Sequence, residues 1–212
     1  MILLPTTYLG PVHWYSNLLA ADTVVVDHAE HYIKQTYRNR CRIAMPSGPM
    51  DLVVPVAEAS SHTPIGQLGV SEHGQWRHHH WSALQTAYGK SPFFEYYADE
   101  FAPFYATDAA ERWPRLTDYN AALCRLVCEL IDLPAPQFSK TYMSRDELLE
   151  GVTDLRDAFS PRSSVPANLP PYYQVFKERQ GFLPALSIVD LLFNMGPESL
   201  IVLAQMNNNF ET

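Results

Sequence analysis

Two short β-prone segments near the N-terminus constrain the fold of this chain most. They cover residues 2–4 and 23–26, and the residues between them, 12–21, can form a helix or a compact crossover. Two strands joined by such a crossover run parallel, so the chain is predicted to begin with a β-α-β unit. Residues 5–7 and Asp27, which follow the two strands, would then emerge together at the carboxyl edge of the sheet. Ligand sites of open α/β sheets collect at that edge.

The rest of the chain predicts a hairpin followed by helices. Residues 42–45 and 51–56 have strand composition, and a Pro-Ser-Gly-Pro turn separates them. From residue 75 onward the apolar residues recur at helical spacing. Ser187 is placed to cap a late helix, with Asp190 as its capping-box partner. Helices are predicted over residues 75–88, 92–105, 116–131, 186–194 and 197–205, and a short strand over 138–143.

These elements predict one α/β domain over residues 1–212. Its sheet is predicted to be mixed and built mainly from the first 56 residues, with a helical C-terminal portion packed on it. The composition, 47% hydrophobic and 18% charged, is that of a folded globular protein.

Charge and hydropathy exclude two classes of partner. The net charge of −8 argues against nonspecific nucleic-acid binding, which needs a broad positive surface. No uninterrupted apolar run is long enough to cross a bilayer, so membrane insertion is not expected.

The N-terminus and the cysteines predict a cytoplasmic protein. No basic leader precedes the first apolar residues, and Pro5 interrupts them, so a secretion signal is not expected. The three cysteines are an odd number, and their spacing is not that of metal ligands. Reduced thiols of this kind are typical of the cytoplasm.

A basic segment points to an anionic partner. Lys34, Arg38, Arg40 and Arg42 lie within nine positions of a chain whose net charge is −8. On a strand the three arginines would share one face, and such a row is costly unless an anion or acidic side chains lie opposite it. Guanidinium groups bind phosphate or carboxylate in bidentate fashion, so a small anionic ligand is predicted. A solvated basic edge strand is the alternative.

A cluster of histidines suggests a base rather than a metal site. His78, His79 and His80 would point in three directions on a helix, so they cannot all bind one ion, and no metal is predicted. His80 lies beside an apolar stripe and is a candidate general base in a cleft.

Cys41 offers a different chemistry. Its neighbours Arg40 and Arg42 would lower the pKa of a thiol, which suggests a cysteine-dependent hydrolase or transferase. Strand alternation turns Cys41 away from both arginines, however, so a small buried hydrophobic residue is the alternative interpretation.

Amide side chains near the C-terminus suit a sugar or a nucleobase. Gln174 and Asn194 can each donate and accept hydrogen bonds, and Tyr173 precedes the first of them. The sequence has no phosphate-binding glycine loop, serine elbow or zinc-protease helix, so motif-defined enzyme classes are not supported and no cofactor is predicted.

Taken in order, these segments resemble the WbqC-like family of bacterial proteins. The likeness covers nearly the whole chain, and the order and spacing of the blocks make it specific. The matching blocks are residues 4–10, 27–32, 34–40, 52–56, Trp76 with His80, Tyr88, 92–94, 154–156, 173–176, 181–182, 186–194 and 196–197.

The resemblance implies a role in making surface polysaccharide, since relatives accompany O-antigen and capsule biosynthesis. The leading hypothesis is a transferase that puts an acyl or aminoacyl group on an amino sugar carried by a nucleotide diphosphate. A noncatalytic binding or scaffold protein of a polysaccharide assembly is the alternative.

Under the transferase hypothesis the residues take the following roles. The arginine row with Lys34 would clamp the pyrophosphate, and Asp27 or His80 would take a proton from the attacking amine. The remaining predicted substrate-binding residues come from the matching blocks. They are Asn39, Tyr173 and Gln174, which would orient the sugar, and Tyr88, Arg156 and Asn194.

Overall fold

The computed structural model describes residues 1–57, 60, 62–148, 150–166 and 169–208. The strands are β1 (Ile2–Pro5), β2 (Val24–Asp27), β3 (Arg40–Met45), β4 (Gly48–Val53), β5 (Gln137–Phe138) and β6 (Thr153–Asp154). The helices are α1 (Val12–Ser16), α2 (Trp76–Tyr88), α3 (Phe94–Tyr105), α4 (Ala109–Arg112), α5 (Leu116–Leu130), α6 (Lys177–Gln180), α7 (Ile188–Met195) and α8 (Ser199–Asn208).

A parallel sheet with the strand order β5-β2-β1-β6 forms the centre of the described fold. Strands β1 and β2 pair from Ile2 opposite Val24 to Pro5 opposite Asp27, which confirms the predicted β-α-β start. All the residues of these two strands are buried, as expected for parallel strands covered on both faces. The predicted α/β fold is therefore confirmed.

The outer strands of this sheet come from later in the chain. Each is only two residues long, and β5 covers the first residue of the strand predicted over 138–143. Strands of two residues have no periodicity of their own, and their pairing depends on the finished sheet.

The predicted hairpin forms a separate antiparallel pair. Strands β3 and β4 pair from Arg40 opposite Val53 to Met45 opposite Gly48, across a turn made by Pro46 and Ser47. Gly48 has a φ of 124°, a conformation that glycine adopts without strain. The hairpin does not join the parallel sheet, so the mixed sheet of the prediction is two sheets. Strand β3 packs instead against α2 and α7.

The helices cover the sheet and the hairpin. Helix α5 buries Leu116, Tyr119, Leu123 and Val127 on one face, as its 3.6-residue period predicts. Burial of such a face, rather than helix propensity alone, supplies most of its stability.

Helix α7 lies in the centre of the core. The Ser187 hydroxyl accepts a hydrogen bond from the amide of Val189, so the predicted cap is confirmed. The Asp190 carboxylate is not the capping-box partner, because it turns toward buried tyrosines. The helix ends at Gly196, whose φ is 54°, and a Cβ there would lie 2.5 Å from the Phe93 ring.

The stretch Ile188–Asn207 is long and apolar enough to cross a membrane by length and composition alone. However, 61% of its most apolar window is buried inside the protein. It contains Asp190 and Glu198 and is divided between α7 and α8. A mostly buried core helix of this kind passes the same test without spanning a membrane.

Candidate functional site

A cluster of buried charges lies at the carboxyl edge of the parallel sheet. Asp27 ends β2, and Arg156 follows β6. The Arg156 guanidinium donates to Asp27 Oδ2 at 2.8 Å and to both oxygens of Asp154 at 2.9 and 2.8 Å. Asp27 is 0% exposed and Arg156 is 2% exposed, so their contact is removed from water. The bidentate contact is the one with Asp154, whose side chain is 18% exposed.

A second ion pair is joined to the first. Arg38 donates from Nε and Nη2 to the two oxygens of Glu30, at 2.8 and 2.5 Å. The same Nη2 donates to the main-chain oxygen of Arg156 at 3.1 Å. Burial raises the pKa of the Glu30 carboxyl, and the Arg38 guanidinium opposes that rise. We call these five residues, Asp27, Glu30, Arg38, Asp154 and Arg156, the edge cluster.

Ser139 connects the edge cluster to the surface. Its hydroxyl donates to Asp27 Oδ1 at 3.1 Å and accepts from the main-chain amide of His28 at 3.2 Å. The other hydrogen bond to Asp27 Oδ1 comes from the amide of Ala29, at 2.8 Å. The Asp27 carboxylate is therefore held by several donors, as a buried carboxylate must be.

An open cleft of about 570 Å³ lies beyond Ser139. Arg115, Arg125 and Lys140 line it together with His28, Ser139 and one acidic residue, Asp118, and we call this region the cationic cleft. The Arg125 guanidinium lies 4.6 Å from the centre of the Phe138 ring, a cation–π contact that orients it. Within the described residues, none of the three cations forms an ion pair with an acidic side chain.

His28 forms part of the cleft wall. Burial lowers the pKa of its imidazole to about 4, so the ring is neutral near neutral pH. Its Nε2 has no hydrogen-bond partner among the described residues. Gly66 packs closely behind it, because a Cβ on Gly66 would lie 2.7 Å from the His28 main-chain oxygen. The cleft thus offers an excess of positive charge over the one carboxylate of Asp118, a neutral imidazole and a hydroxyl.

The structure brings three of the predicted site residues together and separates the predicted arginine row. Asp27, Arg38 and Arg156 belong to the edge cluster. Arg38 precedes β3 and does not share a strand face with the later arginines. Arg40 and Arg42 both contact Asp51, which pairs with Arg42 across the hairpin, at 3.3 and 2.7 Å. Acidic side chains therefore lie opposite all three arginines.

Three other predicted residues, Asn39, Lys34 and Tyr173, lie apart from the cationic cleft. The Asn39 amide donates to the main-chain oxygen of Val54 at 2.8 Å and is buried beside the hairpin. Lys34 is exposed. Tyr173, predicted to orient a sugar, is 53% exposed. None of the three lines the cleft.

A second buried acidic residue, Asp190, is hydrogen-bonded to three more of the predicted residues, Tyr88, Gln174 and Asn194. It accepts hydrogen bonds from the Tyr88 hydroxyl at 3.0 Å, the Tyr172 hydroxyl at 2.7 Å and the Gln174 amide at 3.1 Å. The Asn194 amide donates to the Asp190 main-chain oxygen at 2.7 Å. Burial raises the pKa of Asp190 to about 6. We call these residues the Asp190 cluster.

His80, the predicted base, is buried in a chain of hydroxyl groups. Its Nδ1 lies 2.9 Å from the Tyr8 hydroxyl, which lies 2.9 Å from the Tyr105 hydroxyl. Burial lowers the pKa of His80 to about 4. The residue does not line the cationic cleft, so this position gives it no access to a ligand there. Within the described chain no group of three His, Cys, Asp or Glu side chains is arranged to hold a metal ion.

Cys41 is 1% exposed, and burial raises the pKa of its thiol far above the ordinary range. A buried, protonated thiol is a poor nucleophile. The structure therefore favours the interpretation of Cys41 as a small buried hydrophobic residue over a cysteine-dependent reaction.

Most of the residues that line the cleft were not predicted from the sequence. Arg115, Arg125, Ser139 and Lys140 are scattered over the start of α5, its middle and the segment after β5, and no motif connects them. A signal existed for Asp154, because it stands two residues before Arg156. An Asp carboxylate often accepts a hydrogen bond from the main-chain amide two residues later, and Asp154 Oδ1 accepts from the Arg156 amide at 3.1 Å.

Comparison with known proteins gives one family. Residues 6–165 match the model of the WbqC-like protein family. The chain is also similar to a protein of Mycobacterium tuberculosis named uncharacterized protein Rv1507c, with 27% identity over 89% of this chain and 91% of the relative. No solved structure matches the chain. The edge cluster and the cationic cleft lie within the matched residues, whereas the predicted blocks from Tyr173 onward lie beyond them.

Proposed function

The chain belongs to the WbqC-like protein family, and from that premise we propose that it is a transferase of surface-polysaccharide biosynthesis. Its acceptor would be an amino sugar carried by a nucleotide diphosphate, and the group transferred would be an acyl or aminoacyl group. The observation that carries the proposal is the cationic cleft at the carboxyl edge of the parallel sheet.

The charge of the cleft suits a pyrophosphate. Arg115, Arg125 and Lys140 outnumber the one acidic residue of its lining, Asp118, and none of the three forms an ion pair among the described residues, although the chain as a whole has a net charge of −8. Guanidinium groups bind phosphate oxygens in bidentate fashion, and a lysine adds a compact positive charge. Arg38 and Arg40 are less suited to this role, because Glu30 and Asp51 already neutralise them.

The uncharged polar groups of the cleft suit the reacting amine. His28 and Ser139 line the same cleft, and the neutral imidazole is the form that accepts a proton. As the amine nitrogen attacks the acyl carbon, the new C–N bond forms and the bond from that carbon to its carrier breaks. His28 would take the proton that the amine loses. Asp27 is a positioning residue here, because it acts through the Ser139 hydroxyl.

A noncatalytic binding protein is the second candidate. It is favoured by one observation, which is that neither predicted base faces the cleft. Asp27 is buried and held by several donors, and His80 is bonded to Tyr8. Under this alternative the same ligand binds to the cleft without turnover.

The binding proposal is tested by calorimetric titration with a panel of nucleotide diphosphate sugars. Arg125→Ala and Lys140→Ala are each expected to weaken binding about tenfold or more, the loss typical of a hydrogen bond to a charged group. Arg112→Ala is the matched control, because Arg112 is an exposed arginine that pairs with Asp108 and does not line the cleft. The Arg112 variant is expected to bind as the wild type does.

The Arg40→Ala variant shows whether the anion binds at the cationic cleft or at the hairpin. Loss of binding in Arg40→Ala, with normal binding in Arg125→Ala and Lys140→Ala, would move the anion site to the hairpin. No binding by the wild type to any member of the panel would remove the proposal. Turnover is tested separately, since transfer that persists in full in His28→Gln would exclude His28 as the proton acceptor.

A further inference from the structure

A second cavity lies at the opposite edge of the parallel sheet. Its volume is about 590 Å³, and it lies between the α1 crossover and the segment that follows β6. The cationic cleft borders β5, whereas this cavity borders β6, and the sheet order β5-β2-β1-β6 puts those two strands at opposite edges. The two sites are therefore distinct.

The walls of this cavity are mainly apolar. Leu155, Ala158, Phe159 and Pro166 supply its apolar surface. The polar lining residues besides the histidine are Asn17, whose amide donates to the His13 main-chain oxygen, Ser164, and Ser163, whose hydroxyl is bonded to Ser160. No acidic or basic side chain other than a histidine lines the cavity among the described residues. A cavity of this size and composition is typical of a site for an uncharged small molecule.

The histidine is the unusual feature of the cavity. His13 is about nine-tenths buried, and its ring packs against Phe159 with 5.3 Å between ring centres. Its Nδ1 is enclosed and has no hydrogen-bond partner among the described residues. Burial lowers the pKa of His13 to about 4, so the ring is neutral near neutral pH. A buried polar group without a partner costs stability that a hydrogen-bonding ligand would restore.

We propose that this cavity binds an uncharged aromatic molecule that carries one hydroxyl group, with the ring against Phe159 and the hydroxyl hydrogen-bonded to His13. The apolar walls would supply most of the affinity, and the imidazole would select for the hydroxyl. This site is independent of the nucleotide-sugar proposal, because it uses different residues and the opposite edge of the sheet.

Fluorine NMR titration with 4-fluorophenol and fluorobenzene tests the proposal. The two probes share a ring, and only the first can hydrogen-bond through a hydroxyl. The wild type is expected to bind 4-fluorophenol about fivefold more tightly than fluorobenzene, the effect of one net hydrogen bond. His13→Phe, which keeps an aromatic ring and removes both nitrogens, is expected to abolish this preference and to leave fluorobenzene binding unchanged.

A variant that fills the cavity tests whether the two probes bind there. Ala158 lines the cavity and is exposed, so Ala158→Trp fills the site without disturbing the core, and both probes are expected to lose saturable binding. Ala106→Trp, at an exposed alanine outside the cavity, is the matched control and should bind both probes normally.

Three results would overturn the proposal: no saturable binding to the wild type, equal affinity for the two probes, or binding that persists in Ala158→Trp. Failure of His13→Phe to fold would leave the Ala158→Trp variant and the comparison of the two probes in the wild type as the deciding measurements.

Discussion

The edge cluster and the Asp190 cluster each bury a carboxylate, but they neutralise it in different ways. Asp27 lies against the Arg156 guanidinium at 2.8 Å, so its charge is compensated by another charge. Asp190 accepts only from neutral donors, namely two tyrosine hydroxyls and an amide. Burial consequently raises the pKa of Asp190 to about 6.

The two clusters also differ in position: the edge cluster borders the candidate site, whereas the Asp190 cluster lies in the interior. The edge cluster reaches the cationic cleft through the Ser139 hydroxyl, and it stands at the sheet edge where ligands of α/β folds bind. The Asp190 cluster joins the hairpin to α2 and α7, because the Tyr88 hydroxyl that donates to Asp190 also accepts from the amide of Ala44. It holds elements together in the interior.

Removing the cation of the edge cluster should have the largest effect. Arg156→Met leaves the buried carboxylate of Asp27 and the partly exposed carboxylate of Asp154 without their main partner. We expect the free energy of unfolding to fall by about 3–5 kcal/mol, the cost of breaking a buried ion pair from one side. Denaturant unfolding followed by circular dichroism measures the change.

A neighbouring arginine is the control for Arg156. Arg145 also contacts Asp154, and it pairs with Asp157, but its side chain is 56% exposed. Arg145→Met should therefore leave stability nearly unchanged. Equal losses in the two variants would show that burial does not distinguish these contacts. Adding Asp27→Asn to Arg156→Met should recover part of the lost stability.

The Asp190 cluster should respond to pH. Its carboxyl pKa rises from 3.8 in the unfolded chain to about 6 in the fold, so the folded state holds the proton more tightly. Stability from this group is therefore greatest at low pH and falls as pH rises through about 4 to 6, by about 3 kcal/mol in all.

Comparison with Asp190→Asn isolates that effect. The other buried groups that titrate in this window, Glu30, His13, His28 and His80, are present in both proteins and cancel in the difference. The stability of the wild type minus that of the variant, from urea unfolding at several pH values, should fall as pH rises. A difference that does not change with pH would mean that Asp190 stays ionised in the fold.

The link between the edge cluster and the cleft should contribute less. Ser139→Ala removes one hydrogen bond to Asp27 and the acceptor of the His28 amide. We expect a loss of about 1–2 kcal/mol in the free energy of unfolding. Ser164→Ala, at an exposed serine, is the control and should have no effect. A loss as large as that of Arg156→Met would make Ser139 an essential part of the cluster.

The half-buried ion pair of the hairpin should have the smallest effect. Arg42 contacts Asp51 at 2.7 Å, but its side chain is 35% exposed. Arg42→Ala is expected to lower the free energy of unfolding by less than about 1 kcal/mol, as for other solvent-screened pairs. Thermal unfolding at low and high salt measures it, and any effect should shrink as salt rises.

The helices were predicted accurately because the sequence signal for a helix, the spacing of its apolar residues, is local. Helix α2 was predicted over 75–88 and α5 over 116–131, and each observed helix differs by one residue at one end. The predicted hairpin and the β-α-β start were found for the same reason. Apolar spacing and turn residues are properties of neighbouring positions, and they act before distant parts of the chain meet.

The candidate site was predicted only in part. Asp27 was found at the carboxyl edge because the order of strands fixes where that edge lies. The three arginines of the basic segment looked equivalent in the sequence, yet Arg38 contacts Glu30 while Arg40 and Arg42 contact Asp51. The pairing of each arginine with its acidic partner depends on how distant segments pack, and the sequence pattern does not contain that information.

Side-chain periodicity over a few residues was enough to predict an α/β fold that begins with two parallel strands, the hairpin and the main helices. The folded structure was needed to show that β5 and β6 complete the sheet, that Arg115, Arg125 and Lys140 line one cleft, and that His13 lines a mainly apolar cavity. Those arrangements join residues far apart in the chain. The contacts between such residues contribute free energy only after the core has formed and brought them together.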